Sequence, residues 1–446
     1  MMKKTFFVSI FCIFFSTLAY AHSEKHVSKS SANEWQKITP EKSMDVIDAN
    51  GNVRTIFPRC SGGPMPDGTL DSSEYSFFFK RGKSDKLVVF FEGGGACWDT
   101  ATCNSSIRPD GAYIPTLVQT IPGKLNGIFD QANHDNPLRK HSILYIPYCT
   151  GDIHSGSKDR QYLNVLGLPD ANGIVQPTIT IHHRGLDNFL AARHWVKARF
   201  DKKHVEHLVV AGNSAGAYGA AMGINYLAKD FSKADAVLLL DGGNGIVNSD
   251  FAANAMSDSG SWGYQASIPA WTSGISEAVN ASFSDSYAFS VAFFSATAMN
   301  NPTVKVGQFS NNWDAVQTLF YNIMNVQAAG GTPGQWAELT PTVFGEWILN
   351  SNIAFNTLAN IPNYRFFLAP GCEHTFLRSQ RLYTTQSAGT TLLDWVHHTL
   401  SDEQHDWNNV RCVTASCLPP TPTTLAEVSA LKTEIGRCVQ SAQPKS

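Results

Sequence analysis

The chain has 446 residues, a net charge of −3 and only 16% charged residues. Without a basic excess, nucleic acid is excluded as an expected partner. Hydrophobic residues make up 43% and aromatics 11%, enough for one large core, and at this length one domain with insertions is the expected organisation.

The first element reads as a signal peptide over residues 1–21. Lys3 and Lys4 supply the positive start, Phe6 to Phe15 the apolar run, and Ala19-Tyr20-Ala21 the small residues of a cleavage site. The run is shorter than the roughly 20 residues that span a membrane. Charges, Gly and Pro interrupt every later apolar stretch. The mature chain is therefore expected to be exported, secreted or periplasmic, with no stable membrane insertion. Cys12 falls in the signal and leaves eight cysteines, Cys60, Cys97, Cys103, Cys149, Cys372, Cys412, Cys417 and Cys438. An even number in an exported chain suggests disulfides, with the pairing left open. Cys97 and Cys103 are near enough to close a small loop, and Cys417 with Cys438 would tie down the tail. No CxxC pair occurs, so neither a metal nor another cofactor is expected.

Residues 22–50 read as a flexible arm, followed by a main domain over 51–418 and a C-terminal tail over 419–446 behind Pro419-Pro420-Thr421-Pro422. Turn signals such as Pro66-Asp67-Gly68 surround the apolar Tyr75 to Phe79, which predicts early strands and hairpins. Continuous apolar runs then predict buried strands at Leu87 to Phe91, Ser142 to Tyr148, Leu208 to Ala211, Ala236 to Leu240, Val304 to Phe309 and Tyr364 to Leu368. Helical spacing separates them at Leu186 to Phe200 and Ala215 to Ala228. Buried strands alternating with helices predict an α/β fold with a mostly parallel sheet covered on both faces. Residues 244–300, rich in Ser, Ala, Asn and aromatics, read either as a helical insertion near the site or as a surface excursion.

The chemistry-bearing residues follow strand ends, where such sheets bind ligands. Gly212-Asn213-Ser214-Ala215-Gly216 lies between a predicted strand and a predicted helix, the setting of a nucleophile elbow. A serine hydroxyl needs a base, and the base needs an acid to orient it. His374 follows the last predicted strand, where this fold carries its base; His397, His398 and His405 sit in a helix or a polar stretch. Two acids compete. Asp241 ends the first strand after Ser214 and Asp314 follows the second; the second is the usual place, which favours Asp314. Asp241 would then shape the pocket floor or brace a loop. The N–H of Ala215, with Gly94 and Gly95 of Gly93-Gly94-Gly95, would form an oxyanion hole. No Lys-Ser or Lys-Thr pair follows these glycines to make a phosphate loop.

Phe91-Glu92-Gly93-Gly94-Gly95-Ala96-Cys97-Trp98, Ile146-Pro147-Tyr148-Cys149-Thr150-Gly151-Asp152, the Ser214 motif, Asn311 to Gln317 and Cys372-Glu373-His374 together resemble the pectin acetylesterase and Notum carboxylesterase family. The resemblance runs from about Arg59 to His374. It implies an α/β-hydrolase fold, a Ser214, Asp314 and His374 triad, and an oxyanion hole from Gly94, Gly95 and Ala215. Trp98 and Asp241 stand as further pocket candidates. The chain departs from Notum-like members at Gly95, where they carry Trp, and over 244–300. The implied partner is an ester substrate, first an O-acetyl group on a polysaccharide such as pectin. Longer acyl esters of lipid, protein or polyester come second. An inactive binding protein on the same scaffold is the alternative from another class.

Overall fold

The computed structural model describes residues 34–441 apart from 49, 73, 105–110, 118–121 and 402–406. The expected signal peptide and His405 lie outside the described residues. Among the described residues, twelve strands form one large sheet and two hairpins. They are β1 (Gln36–Ile38), β2 (Met44–Ile47), β3 (Val53–Ile56), β4 (Phe77–Lys80), β5 (Lys83–Phe91), β6 (His141–Ile146), β7 (Lys158–Leu163), β8 (Thr178–His183), β9 (His207–Asn213), β10 (Asp235–Asp241), β11 (Lys305–Asn311) and β12 (Tyr364–Ala369).

An eight-stranded sheet has the order β1-β4-β6-β5-β9-β10-β11-β12. From β6 to β12 every pairing is parallel, and β4 joins β6 and β1 antiparallel. The six parallel strands are those that appear as continuous apolar runs in the sequence. The reason is visible in the packing. Val88 and Phe90 face one core with Val209, Ala211 and Leu239, whereas Leu87, Val89 and Phe91 face the other with Leu208, Val210 and Leu240. Both faces are dry, so no polar alternation is left to see. Helices Gly185–Arg199 and Ala215–Asp230 cover the larger core, and Leu392–Leu400 covers the smaller through Trp395.

Part of the expected flexible arm is strand: β1 extends the main sheet and β2 pairs β3 antiparallel. A three-residue edge strand such as Gln36-Lys37-Ile38 is too short to leave a period. A second hairpin, β7–β8, has no counterpart among the predicted elements: in β7 Lys158-Asp159-Arg160-Gln161 is polar and only Tyr162 turns fully inward, and β8 alternates over six residues only.

Among the described residues four disulfides form, Cys60–Cys149, Cys97–Cys103, Cys372–Cys438 and Cys412–Cys417. The small loop at Cys97 is as expected. The Cys417–Cys438 pairing is corrected: Cys417 closes a turn with Cys412, and Cys438, on helix Leu425–Ser441, holds the segment after β12.

His183 at the end of β8 is fully buried. Its Nδ1–H donates to the Thr150 carbonyl at 3.0 Å and its Nε2 accepts from the Tyr162 hydroxyl at 3.1 Å. Burial pulls its pKa from 6.5 down to about 3. The unfolded chain takes up this proton as pH falls through 6.5 and the folded chain does not. Stability from this group is therefore present above pH 6.5 and lost as pH falls toward 3. Between pH 7 and 5 the loss is about 1–2 kcal/mol. Denaturant midpoints measured at both values are expected to lie closer together for His183→Gln than for wild type; an unchanged gap would refute the assignment.

Candidate active site

Every residue of the site sits at the carboxyl edge of the sheet. Ser214 follows β9 with φ 55° and ψ −126°, a conformation uncommon for a non-glycine residue, and caps helix Ala215–Asp230. The flanking glycines explain why the chain can turn there. A Cβ on Gly212 would lie 2.0 Å from the Gly216 carbonyl oxygen, and one on Gly216 would lie 2.1 Å from that of Phe91. The Ser214 N–H donates to the Asp241 carbonyl at 2.7 Å, which fixes the turn to the neighbouring strand.

The Gly93-Gly94-Gly95 turn after β5 presses on this elbow. Gly93 donates to Asn213 Oδ1 at 3.2 Å, and a Cβ there would be 2.6 Å from that of Ser214. Gly94 lies under the Tyr148 ring, and Gly95 (φ 76°) bridges Tyr113. A side chain at 95 would meet the Ala112 carbonyl at 2.1 Å, so a Trp here would require the 112–113 segment to move. The N–H groups of Gly94, Gly95 and Ala215 have no hydrogen-bond acceptor among the described residues. Ala215 also begins a helix, whose N-terminal dipole favours negative charge. The turn is held from behind by Cys97–Cys103 and by Cys97 N–H donating to Gly151 O at 2.8 Å.

Asp314, directly after β11, is fully buried and caps helix Ala315–Ala328. Its Oδ1 accepts from the Val316 and Gln317 N–H groups, both at 3.0 Å. Its Oδ2 accepts from His374 Nδ1–H at 2.7 Å and Gln317 Nε2 at 3.0 Å. Four donors thus converge on one carboxylate. That bond sets the His374 tautomer: Nδ1 carries the proton and Nε2 is the basic nitrogen. Nε2 is buried and has no hydrogen-bond partner among the described residues. The imidazole rests on the backbone of Gly242, where an added Cβ would come within 3.1 Å of Cε1. Arg381 donates to Thr375 O at 2.7 Å, Asn311 Nδ2 donates to Glu373 O, and Cys372–Cys438 anchors the same loop.

Asp241 does not reach His374. Its Oδ2 accepts from the Phe376 and Leu377 N–H groups, both at 2.8 Å, so it braces the loop behind the histidine. Burial raises its pKa to about 6 despite those two bonds. Trp98 stands behind the cleft, packed edge-on against Phe251 at 4.8 Å. His397 and His398 end helix Leu392–Leu400, away from these residues.

Ser214, Ala215, Gly95 and His374 border one cleft of about 640 Å3, counting its open mouth. The other walls are mostly apolar. Ile246, Val247, Phe251, Met256 and Phe289 come from the 244–300 region; Val316, Gln317, Phe320 and Met324 come from helix Ala315–Ala328; Trp347 comes from helix Pro341–Leu358. Of these, the sequence motif includes Val316 and Gln317, and 244–300 reads as a segment near the site; the individual apolar side chains are not singled out, because a hydrophobic residue has the same period whether its helix face lines a cleft or a core. A serine, a basic nitrogen and the unengaged N–H groups of Gly95 and Ala215 on one cleft, with that of Gly94 beside them in the same turn, can carry out acyl transfer. The two described groups of side chains close enough to share an ion, around Cys97 and Cys372, are built on disulfide sulfurs, which are not thiolate ligands. Among the described residues, no helix is long and apolar enough to cross a membrane.

The amino-acid sequence is similar to those of known carboxylesterases. The chain is 26% identical over 176 residues to the palmitoleoyl-protein carboxylesterase NOTUM of Schmidtea mediterranea, covering 39% of this chain and 29% of that protein. It is 22% identical over 165 residues to the Homo sapiens protein of the same name, covering 36% and 30%. These matches therefore span under a third of either relative's length. The family model described as pectinacetylesterase matches residues 68–339, which include Ser214 and Asp314. That match takes in more than half of the sequence, and the chain belongs to the pectinacetylesterase family.

Proposed function

We propose that the chain is an exported serine carboxylesterase with an α/β-hydrolase fold, and that its ester carries an apolar acyl group longer than acetyl. The observation that carries the reading is the His374–Asp314 bond of 2.7 Å, beside a strained Ser214 on the same cleft. His374 Nε2 takes the Ser214 proton as the hydroxyl attacks the acyl carbon. The N–H groups of Gly94, Gly95 and Ala215 receive the oxyanion. His374 gives the proton to the leaving alcohol, then activates the water that releases the acid. The disulfides of the described residues support export.

The acyl assignment rests on the cleft walls. An acetyl group has one methyl to bury, whereas Ile246, Val247, Phe251, Met256, Phe289, Phe320, Met324 and Trp347 offer much more apolar surface. The relatives' printed activity, on a palmitoleoyl ester, supports the same reading. Each buried methylene contributes about 0.8 kcal/mol, or roughly fourfold in rate. Across p-nitrophenyl esters, kcat/KM is expected to rise about 200-fold from acetate to hexanoate, four methylenes longer. A maximum at acetate would instead favour deacetylation of a polysaccharide. Absence of fluorophosphonate labelling at Ser214 in folded protein would favour an inactive binding protein.

A further inference from the structure

Gln317 takes no part in the proton transfers above, yet it is the most constrained polar side chain on the cleft. Its Nε2 donates both to Asp314 Oδ2 at 3.0 Å and to Ser310 Oγ at 2.9 Å. Its Oε1 accepts from the Asn244 N–H at 2.7 Å. These partners fix the orientation of the amide. Turned over, it would set its oxygen against the Asp314 carboxylate and its NH2 against the Asn244 N–H, losing both of those bonds. Asn244 is itself held from two further elements: its carbonyl accepts from Ser290 Oγ at 2.5 Å and its Nδ2 donates to Ser351 Oγ at 3.3 Å.

Asp314 Oδ2 is the oxygen that also receives His374 Nδ1–H, at 2.7 Å. The carboxylate can swing about its χ2 torsion unless both oxygens are held. Val316 and Gln317 N–H groups hold Oδ1, and Gln317 Nε2 is the second donor on Oδ2. Resting on the esterase reading above, we infer that Gln317 is a positioning residue: it locks the Asp314 carboxylate in the plane from which Oδ2 meets His374. The cleft wall at Asn244 serves as its anchor.

The test uses the full mature chain with Gln317→Met, which keeps length and the backbone N–H on Asp314 Oδ1 but removes every side-chain bond, and Ser310→Ala, which removes one anchor of the amide. In Gln317→Met, kcat for p-nitrophenyl butyrate is expected to fall 10- to 100-fold with KM within threefold. Ser310→Ala shows a smaller loss in the same direction. The downfield proton resonance of His374 Nδ1–H, which a merely structural role would not move, is expected to shift or broaden in both. A Gln317→Met protein that folds, keeps kcat within threefold and leaves that resonance in place overturns the inference. If Gln317→Met does not fold, an unmoved resonance and unchanged kcat in Ser310→Ala overturn it. The resonance reports the Asp314–His374 geometry even without turnover. A wild type that shows the resonance but no labelling or hydrolysis would sink the esterase reading instead.

Discussion

Ser214→Ala is expected to lower kcat for p-nitrophenyl butyrate by about 10⁴- to 10⁶-fold, the range for loss of a serine nucleophile. The structure says why this substitution isolates the chemistry. The Ser214 side chain caps no backbone group of its helix; the turn is held by its N–H on Asp241 O and by Gly212 and Gly216. Alanine keeps the Cβ and the same φ, so the elbow and the cleft stay as they are. Circular dichroism and thermal midpoint should match wild type, and residual rate should come from the N–H groups and binding alone. A variant that retained a tenth of the activity would show that another group attacks the ester.

The second large effect separates the two acids. Asp314→Asn is expected to cost about 10⁴-fold in kcat, and Asp241→Asn less than about tenfold. In Asp314→Asn the remaining oxygen is claimed by the Val316 and Gln317 N–H groups. The new NH2 then faces His374 Nδ1–H and Gln317 Nε2, donor against donor. The imidazole relieves this by moving its proton to Nε2, where it can no longer accept one from Ser214. Asp241→Asn keeps an oxygen for Phe376 and Leu377, so the histidine loop stays braced. Equal losses in the two variants would mean that the orienting role of Asp314 has been misassigned.

Much of the fold and the site is legible in the amino-acid sequence, for physical reasons that differ by element. The parallel strands show because burial on both faces leaves uniform apolar runs such as Leu87-Val88-Val89-Phe90-Phe91. Ser214 shows because its turn demands glycines at fixed offsets. The 97–103 loop can be paired from proximity in sequence. Cys372 and Cys438 cannot, since spacing does not say which distant loops abut. Trp98 can be placed near the cleft but not behind Phe251, because packing order is a three-dimensional fact. Gln317 is visible only as one letter of a motif; the bonds that give it meaning come from Ser310, Asp314 and Asn244, and the last of these lies 73 residues away.

The Cys372–Cys438 bridge links residues 66 positions apart and holds the loop that carries His374. A ribosome delivers the histidine well before it delivers the cysteine that anchors it, and oxidation comes later still. All eight strands of the central sheet precede both cysteines in the chain. Two preparations with the same far-UV spectrum can thus differ in how many molecules hold a properly seated base. On the proposed esterase reading, the meaningful unit of yield is the titrated active site, counted with a fluorophosphonate, rather than the milligram.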